Sequence, residues 1–413
     1  MGRVAKLQCV TCAGEFQAGE IDYTCPICGP MLGTLEVQYD YNQVRRELNR
    51  ISLVANTRRD MWRYLPLLPV DNESLISPLS VGGTPLYHTP GLARELGVKS
   101  LWVKDDGRNP SASYKDRASA VGLAKALEKG ARTVTAASTG NAAASWATLT
   151  SVAGLETIIF VPKTAPQAKL AQLLLFGATV IMVDGSYDQA FDLCCEAAAK
   201  WNWYNRSTAV NPYLGEGKKT GALELCEQLD FDPPDFVFVG VGDGCIYQGL
   251  AKGFREFHEL GLIEKRPRLV GVQADGASPL VRAFENKAPV AEPMDAHTLA
   301  DSIAVGVPRD QVKCLQAAYE GNGILTAVRD DDILWAIRTL ARQAGVMAEP
   351  AGAVGLAGLR KLIQQGVVSA DHSAAIMVTG NGLKDIVGVL TASDRKPLEV
   401  SPNLDSVARV LEQ

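Results

Sequence analysis

The sequence predicts an α/β fold with mostly parallel sheets. Short apolar, strand-like runs recur at Ser100 to Lys104, Thr133 to Ala137, Thr157 to Val161, Thr179 to Val183, Phe236 to Val239, Leu269 to Ala274 and Ala374 to Val378. Between them lie stretches of helix-forming composition, some locally alanine-rich, as at Ala142-Ala143-Ala144 and Ala197-Ala198-Ala199. Strands alternating with helices call for crossover connections, hence parallel pairing and sheets covered on both faces.

Taken in order, residues 1–35 are turn-rich and carry cysteines, and Tyr41 to Arg59 reads as a charged helical connector. Pro66, Pro69 and Pro78 then forbid long regular structure, so that part reads as an arm laid over the body. The globular body begins near Gly83-Thr84-Pro85-Leu86. Residues 115–206 hold three closely spaced strand and helix units, as a smaller mobile lobe would. Residues 36–114 and 207–413 supply the arm and the larger lobe, with the working cleft between the lobes.

With 413 residues, 47% of them hydrophobic, the chain can build a large core divided into two lobes and a small appendage. Its longest apolar runs fall short of the ~20 residues a membrane span needs, and its first residues are not followed by a signal-like apolar core. A cytoplasmic protein is expected. The 46 acidic and 41 basic residues are scattered, giving a formal charge of −5, which argues against nucleic acid as a main partner.

Nine cysteines include the pairs Cys9-x2-Cys12 and Cys25-x2-Cys28. Each short pair can turn both sulfurs toward one ion, as in a tetrahedral zinc site. Disulfides are the alternative, which a cytosolic chain with five further scattered cysteines disfavours. The expectation is a zinc-ribbon-like extension with a structural zinc on Cys9, Cys12, Cys25 and Cys28.

Four segments carry chemistry. In Asn109-Pro110-Ser111-Ala112-Ser113-Tyr114-Lys115-Asp116-Arg117 a lysine follows a polar loop and opens a helix-forming stretch, where its amine could reach a cleft for Schiff-base chemistry. A solvated charge cluster on a first helical turn is the plain alternative. Ala137-Ser138-Thr139-Gly140-Asn141-Ala142 follows a strand and opens a helix, and a Ser/Thr cap explains it equally. Gly240-Val241-Gly242-Asp243-Gly244-Cys245 follows another strand. Either it is a plain turn, or its closely spaced N–H groups bind phosphate at a helix start. A dinucleotide fingerprint would need glycine where Cys245 stands. Lastly, Ala374 to Val378 runs into Thr379-Gly380-Asn381-Gly382.

Together these segments resemble the cofactor site of pyridoxal-phosphate enzymes of the tryptophan-synthase-β type (fold type II), and more specifically the threonine synthase family. The resemblance runs from the first cysteine pair to Thr379-Gly380-Asn381-Gly382-Leu383-Lys384-Asp385. It implies a two-lobed fold with pyridoxal 5'-phosphate in the cleft. Lys115 would carry the cofactor as a Schiff base and move protons, Val241 to Cys245 would hold its phosphate, Asn141 its 3' oxygen and Thr379 its ring nitrogen. Ser138, Thr139 and Gly140 would receive the substrate carboxylate. Lys219, with Lys104 and Arg108, is a candidate for the leaving phosphate.

The implied reaction converts O-phosphohomoserine and water to threonine and phosphate by γ-elimination and β-addition, in a homodimer. Asn211-Pro212-Tyr213-Leu214-Gly215-Glu216-Gly217-Lys218-Lys219-Thr220 is similar to the family's Asn-Pro…Glu-Gly-Gln-Lys-Thr stretch, with Lys218 in place of glutamine. Asp243 and Cys245 also depart from the family's asparagine-containing loop. Three alternatives stay open: β-replacement on O-phosphoserine, serine or threonine dehydration, and a non-catalytic metabolite-sensing zinc-ribbon protein.

Overall fold

The computed structural model describes residues 3–165, 167–207 and 209–412, so Met1 and Gly2 of the expected extension lie outside the described residues. Three sheets organise them. The first is antiparallel, in the order β2-β1-β3, from β1 (Val4–Cys9), β2 (Glu15–Phe16) and β3 (Leu35–Tyr39). The second comprises β4 (Leu86–His88), β5 (Ser100–Asp105), β10 (Phe236–Gly240), β11 (Arg268–Ala274), β12 (Ile324–Val328) and β13 (Ser373–Val378), in the order β12-β11-β10-β13-β5-β4. The third holds β6 (Thr133–Ala137), β7 (Glu156–Pro162), β8 (Thr179–Val183) and β9 (Tyr204–Asn205), in the order β8-β7-β6-β9.

The third sheet is parallel throughout, and the second is parallel except for edge strand β4. Each of the seven expected apolar runs is a strand. β10 is buried along its whole length between β11 and β13, pairing Val239 with Gly271 on one side and with Met377 on the other. This double coverage is why it reads as an unbroken apolar run. β12 escaped the sequence reading although its composition is similar, and β4 and β9 are too short to show a period.

The helices that shape the cleft are α1 (Lys115–Glu128), α2 (Asn141–Ser151), α3 (Tyr187–Trp201), α4 (Leu214–Gln228), α5 (Cys245–Glu259), α6 (Gln311–Glu320) and α7 (Pro350–Gln364). α4 lies against both α1 and α5, and its approach to α1 is close. A Cβ on Gly217 would stand 1.9 Å from Arg117 O, so only glycine fits there.

Two buried charge networks flank α4. On one side Arg117 pairs with Asp106 and with Glu224, and Lys104 also reaches Glu224. On the other, Lys219 pairs with Glu216 at 2.6 Å and Glu256 at 2.7 Å, and Lys252 pairs with Glu216 at 2.7 Å. Tyr39, at the end of β3 and just past the expected extension, donates to Glu216 at 2.8 Å and Tyr41 to Glu256 at 3.0 Å. The N-terminal sheet is thereby bonded to the helices beneath the cleft.

Candidate active site

The site gathers at the carboxyl ends of strands from both parallel sheets, where α/β folds place ligands. After β10, Gly240 leads into a loop whose last residue, Gly244, adopts φ +94° and caps α5, and Cys245 is the first helical residue. After β13, Thr379 O accepts from Tyr114 N at 2.8 Å, and Ser113 bridges Gly380. Those bonds fix the backbone just before Lys115, the first residue of α1. After β6, Ser138 Oγ accepts from Gly140 N at 3.2 Å, and Gly140 rather than Ser138 or Thr139 caps α2. With no side chain capping it, the start of α2 keeps its N–H groups for a ligand.

Two connected chambers result. A narrow inner one of about 50 Å³ is lined by Lys115, Asn141, Arg206, Lys218, residues 240–247 from the end of β10 to the start of α5, Glu349 and Thr379. A wider outer one of about 760 Å³ is lined by Ser138 to Ala142, Tyr187, residues 293–296 and Arg309. Lys115, Asn141, Asp243 and Ser302 face both. Among the described residues Lys115 donates no side-chain hydrogen bond, so its amine is held by backbone placement and not by a partner.

Burial governs the electrostatics. It lowers the proton affinity of Lys115, brings Lys218 down to about 8 and Arg206 to about 10, and raises the carboxyls of Asp243 and Glu349 and the thiol of Cys245. Asp243 Oδ1 accepts from Arg309 N at 3.0 Å, and Glu349 Oε1 accepts from Asn141 Nδ2 at 2.8 Å. An amine that titrates easily, a helix start and buried cations make a cavity suited to an aldehyde carrying a phosphate.

Lys115, Asn141, Val241 to Cys245 and Thr379 thus meet in the inner chamber, and Ser138, Thr139 and Gly140 line the outer one. Lys219 is elsewhere. Its amine is fully buried between Glu216 and Glu256, because it sits one residue on from Lys218 and therefore on another face of α4. Lys104 is likewise buried, against Glu224, and Arg108 lines neither chamber.

Three residues at the site were not singled out from sequence. Arg206 directly follows β9, a strand too short to announce itself. Glu349 precedes Pro350 at the start of α7, a capping position by pattern, yet its side chain caps nothing and turns to Asn141. Ser302 sits in a single 3₁₀ turn, Asp301–Ile303, too short to leave a sequence signal, and its Oγ lies 3.5 Å from Asn141 Nδ2.

Away from the cleft, the sulfurs of Cys9, Cys12, Cys25 and Cys28 all lie within 4.8 Å of one another. Cys12 and Cys25 Sγ are 3.7 Å apart. Zn–S bonds of about 2.3 Å in a tetrahedron require S···S edges of roughly 3.8 Å.

The family described as pyridoxal-phosphate dependent enzyme matches residues 78–380. A threonine synthase of Methanocaldococcus jannaschii is 39% identical over 408 residues, spanning 98% of this chain and 99% of its own. The chain belongs to the threonine synthase family. Family relatives include threonine synthases of Methanosarcina acetivorans, 37% identical over 98% of each chain, and of a Synechocystis species, 36% identical over 85% of this chain and 91% of its own. Solved structures share the fold. A threonine deaminase from Solanum lycopersicum superposes with a TM-score of 0.65 at 20% identity, covering 92% of this chain and 98% of its own. Maize serine racemase superposes with a TM-score of 0.62 at 20% identity, covering 80% and 92%. The two-lobed fold type II expectation therefore holds.

Proposed function

We propose that the protein is a threonine synthase, converting O-phosphohomoserine and water to threonine and phosphate. The observation that carries this reading is the end-to-end match to the Methanocaldococcus jannaschii threonine synthase. The site's chemistry agrees with it. Lys115 would hold pyridoxal phosphate through its amine, with the N–H groups of Val241 to Cys245 on the phosphate and Thr379 at the ring nitrogen. Asn141 gives one of its two amide N–H groups to Glu349, and the other, at a long 3.5 Å from Ser302 Oγ, would turn to the ring's 3' oxygen. When bound, the cofactor withdraws electrons from the substrate's α-carbon, making its proton removable.

The chain's own groups do the rest. The partner-free amine of Lys115 is the base, and burial favours the neutral form that can accept a proton. The uncapped start of α2, at Ser138 to Gly140, receives the substrate carboxylate. Residues 115–206 form the lobe that closes over the outer chamber. Structural zinc on Cys9, Cys12, Cys25 and Cys28 is supported by the spacing of the four thiols. A cytoplasmic homodimer is supported by the cysteines, none of which joins a disulfide among the described residues, and by apolar side chains left exposed near the C-terminus, among them Val387, Leu390 and Leu404. No helix among the described residues is long and apolar enough to cross a membrane. The test is to supply O-phosphohomoserine and measure phosphate and threonine together. Release of pyruvate from serine or of 2-oxobutyrate from threonine, with no threonine formed from O-phosphohomoserine, would make the protein a dehydratase.

A further inference from the structure

We propose that Lys218 anchors the cofactor's phosphate, acting with Arg206 and the first turn of α5. The proposal rests on the reading of this cleft as a pyridoxal-phosphate site. Lys218 and Arg206 are 4% and 2% exposed, yet neither has a carboxylate partner among the described residues. Among the described residues the Arg206 guanidinium reaches only Ser119 Oγ, at 3.3 and 3.4 Å. The contrast with the other buried cations is sharp. Lys104, Arg117, Lys219 and Lys252 are all ion-paired. A buried cation left uncompensated is unfavourable by itself, so two in one cavity mark a place reserved for an anion.

Position selects which anion. A Cβ on Gly249, one turn into α5, would stand 2.7 Å from Lys218 Cβ, so Lys218 packs against the first turn of that helix. It lines the inner chamber with residues 240–247, the loop and the start of α5, as Arg206 does, and neither residue lines the outer chamber through which an amino acid would enter. The one acidic side chain of the loop does not neutralise them, since Asp243 is turned to Arg309 N. Burial holds Lys218 at about 8, with Cys245, Arg206, Lys115 and Asp310 as the titratable or charged groups around it. A dianion beside it would restore its charge. The lysine that replaces the family's glutamine thus supplies positive charge, from α4, beside a loop that has itself gained an acid.

The experiment titrates cofactor-free protein with pyridoxal phosphate and, separately, with phosphate-free pyridoxal, following the Schiff-base absorbance in wild type, Lys218→Gln and Lys218→Arg. Lys218→Gln is expected to weaken pyridoxal phosphate by about tenfold or more, the loss of one charge-assisted contact. Pyridoxal affinity should stay unchanged, and Lys218→Arg should retain most of the phosphate preference. Equal loss for both ligands would mean a collapsed cavity and overturn the proposal. So would unchanged affinity for pyridoxal phosphate with weakened binding of O-phosphohomoserine alone, which would assign the lysine to the substrate. Failure of the wild type to bind either aldehyde would instead remove the cofactor reading itself.

Discussion

Asn141 and Glu349 join hands across the cleft: the amide that opens α2, after the four-stranded sheet, donates at 2.8 Å to the carboxylate that precedes α7, beside the six-stranded sheet. The carboxylate is buried, and burial raises its proton affinity. Glu349→Gln keeps an acceptor for Asn141 while removing the charge, and is expected to stabilise the cofactor-free protein by about 1 kcal/mol at neutral pH. The sign follows from linkage. A carboxyl whose folded-state affinity is raised contributes stability below the ordinary value near 4.5 and loses it as pH rises. The gap between variant and wild type should therefore close in acid and open toward neutrality. Denaturant titrations at several pH values measure it.

Lys115→Ala should abolish the borohydride-stable pyridoxyl adduct and lower turnover by roughly 10³-fold or more. Peptide mass analysis locates the adduct. An adduct on another residue in the wild type would displace Lys115 from its assigned role.

Lys218 gives a second pH signature. Its amine titrates at about 8 in the folded chain against an ordinary 10.5. The penalty for keeping it charged is fully present below pH 8 and relieved as pH rises toward 10.5. Lys218→Met should then stabilise the cofactor-free protein on the order of 3 kcal/mol at pH 7, with the difference vanishing near the upper end of that window. Chemical denaturation from pH 7 to 10.5 checks both the size and the trend.

Lys219 should behave as a structural residue. Replacing it with methionine leaves two buried carboxylates, Glu216 and Glu256, to share the single cation of Lys252 and is expected to destabilise the protein by about 3–5 kcal/mol. Tyr39→Phe, which removes one donor from Glu216, should have a smaller effect of about 1–3 kcal/mol. A Lys219→Met protein with unchanged stability and a raised KM would contradict this placement.

Purified protein should carry one zinc per chain. Chelation, or Cys12→Ser, should destabilise it by several kcal/mol, because the four thiols tie the turn that follows β1 to the segment that leads into β3. Metal analysis alongside thermal melts tests this, and metal-free protein that melts identically would make the cluster a set of reduced thiols only.

The sheets were legible because buried parallel strands must be continuously apolar, and all seven such runs proved to be strands. Motif residues at strand ends were legible for a related reason, since glycine, lysine and asparagine there are uncommon choices for a plain turn. Direction was not. Whether Lys218 or Lys219 faces the cavity depends on the rotation of α4, which Gly217 sets by its contact with α1, and no local pattern encodes that contact. Glu349 was missed because its role arises from pairing across 208 residues of sequence, and Arg206 because its role arises from having no carboxylate partner among the described residues.

The bond from Tyr39 to Glu216 spans 177 positions of the chain. The cysteine-bearing extension is therefore no detachable accessory. A descendant that shed its first forty or so residues would expose two lysines and two glutamates selected for darkness, and would have to rewrite positions 216, 219, 252 and 256 in step with the deletion.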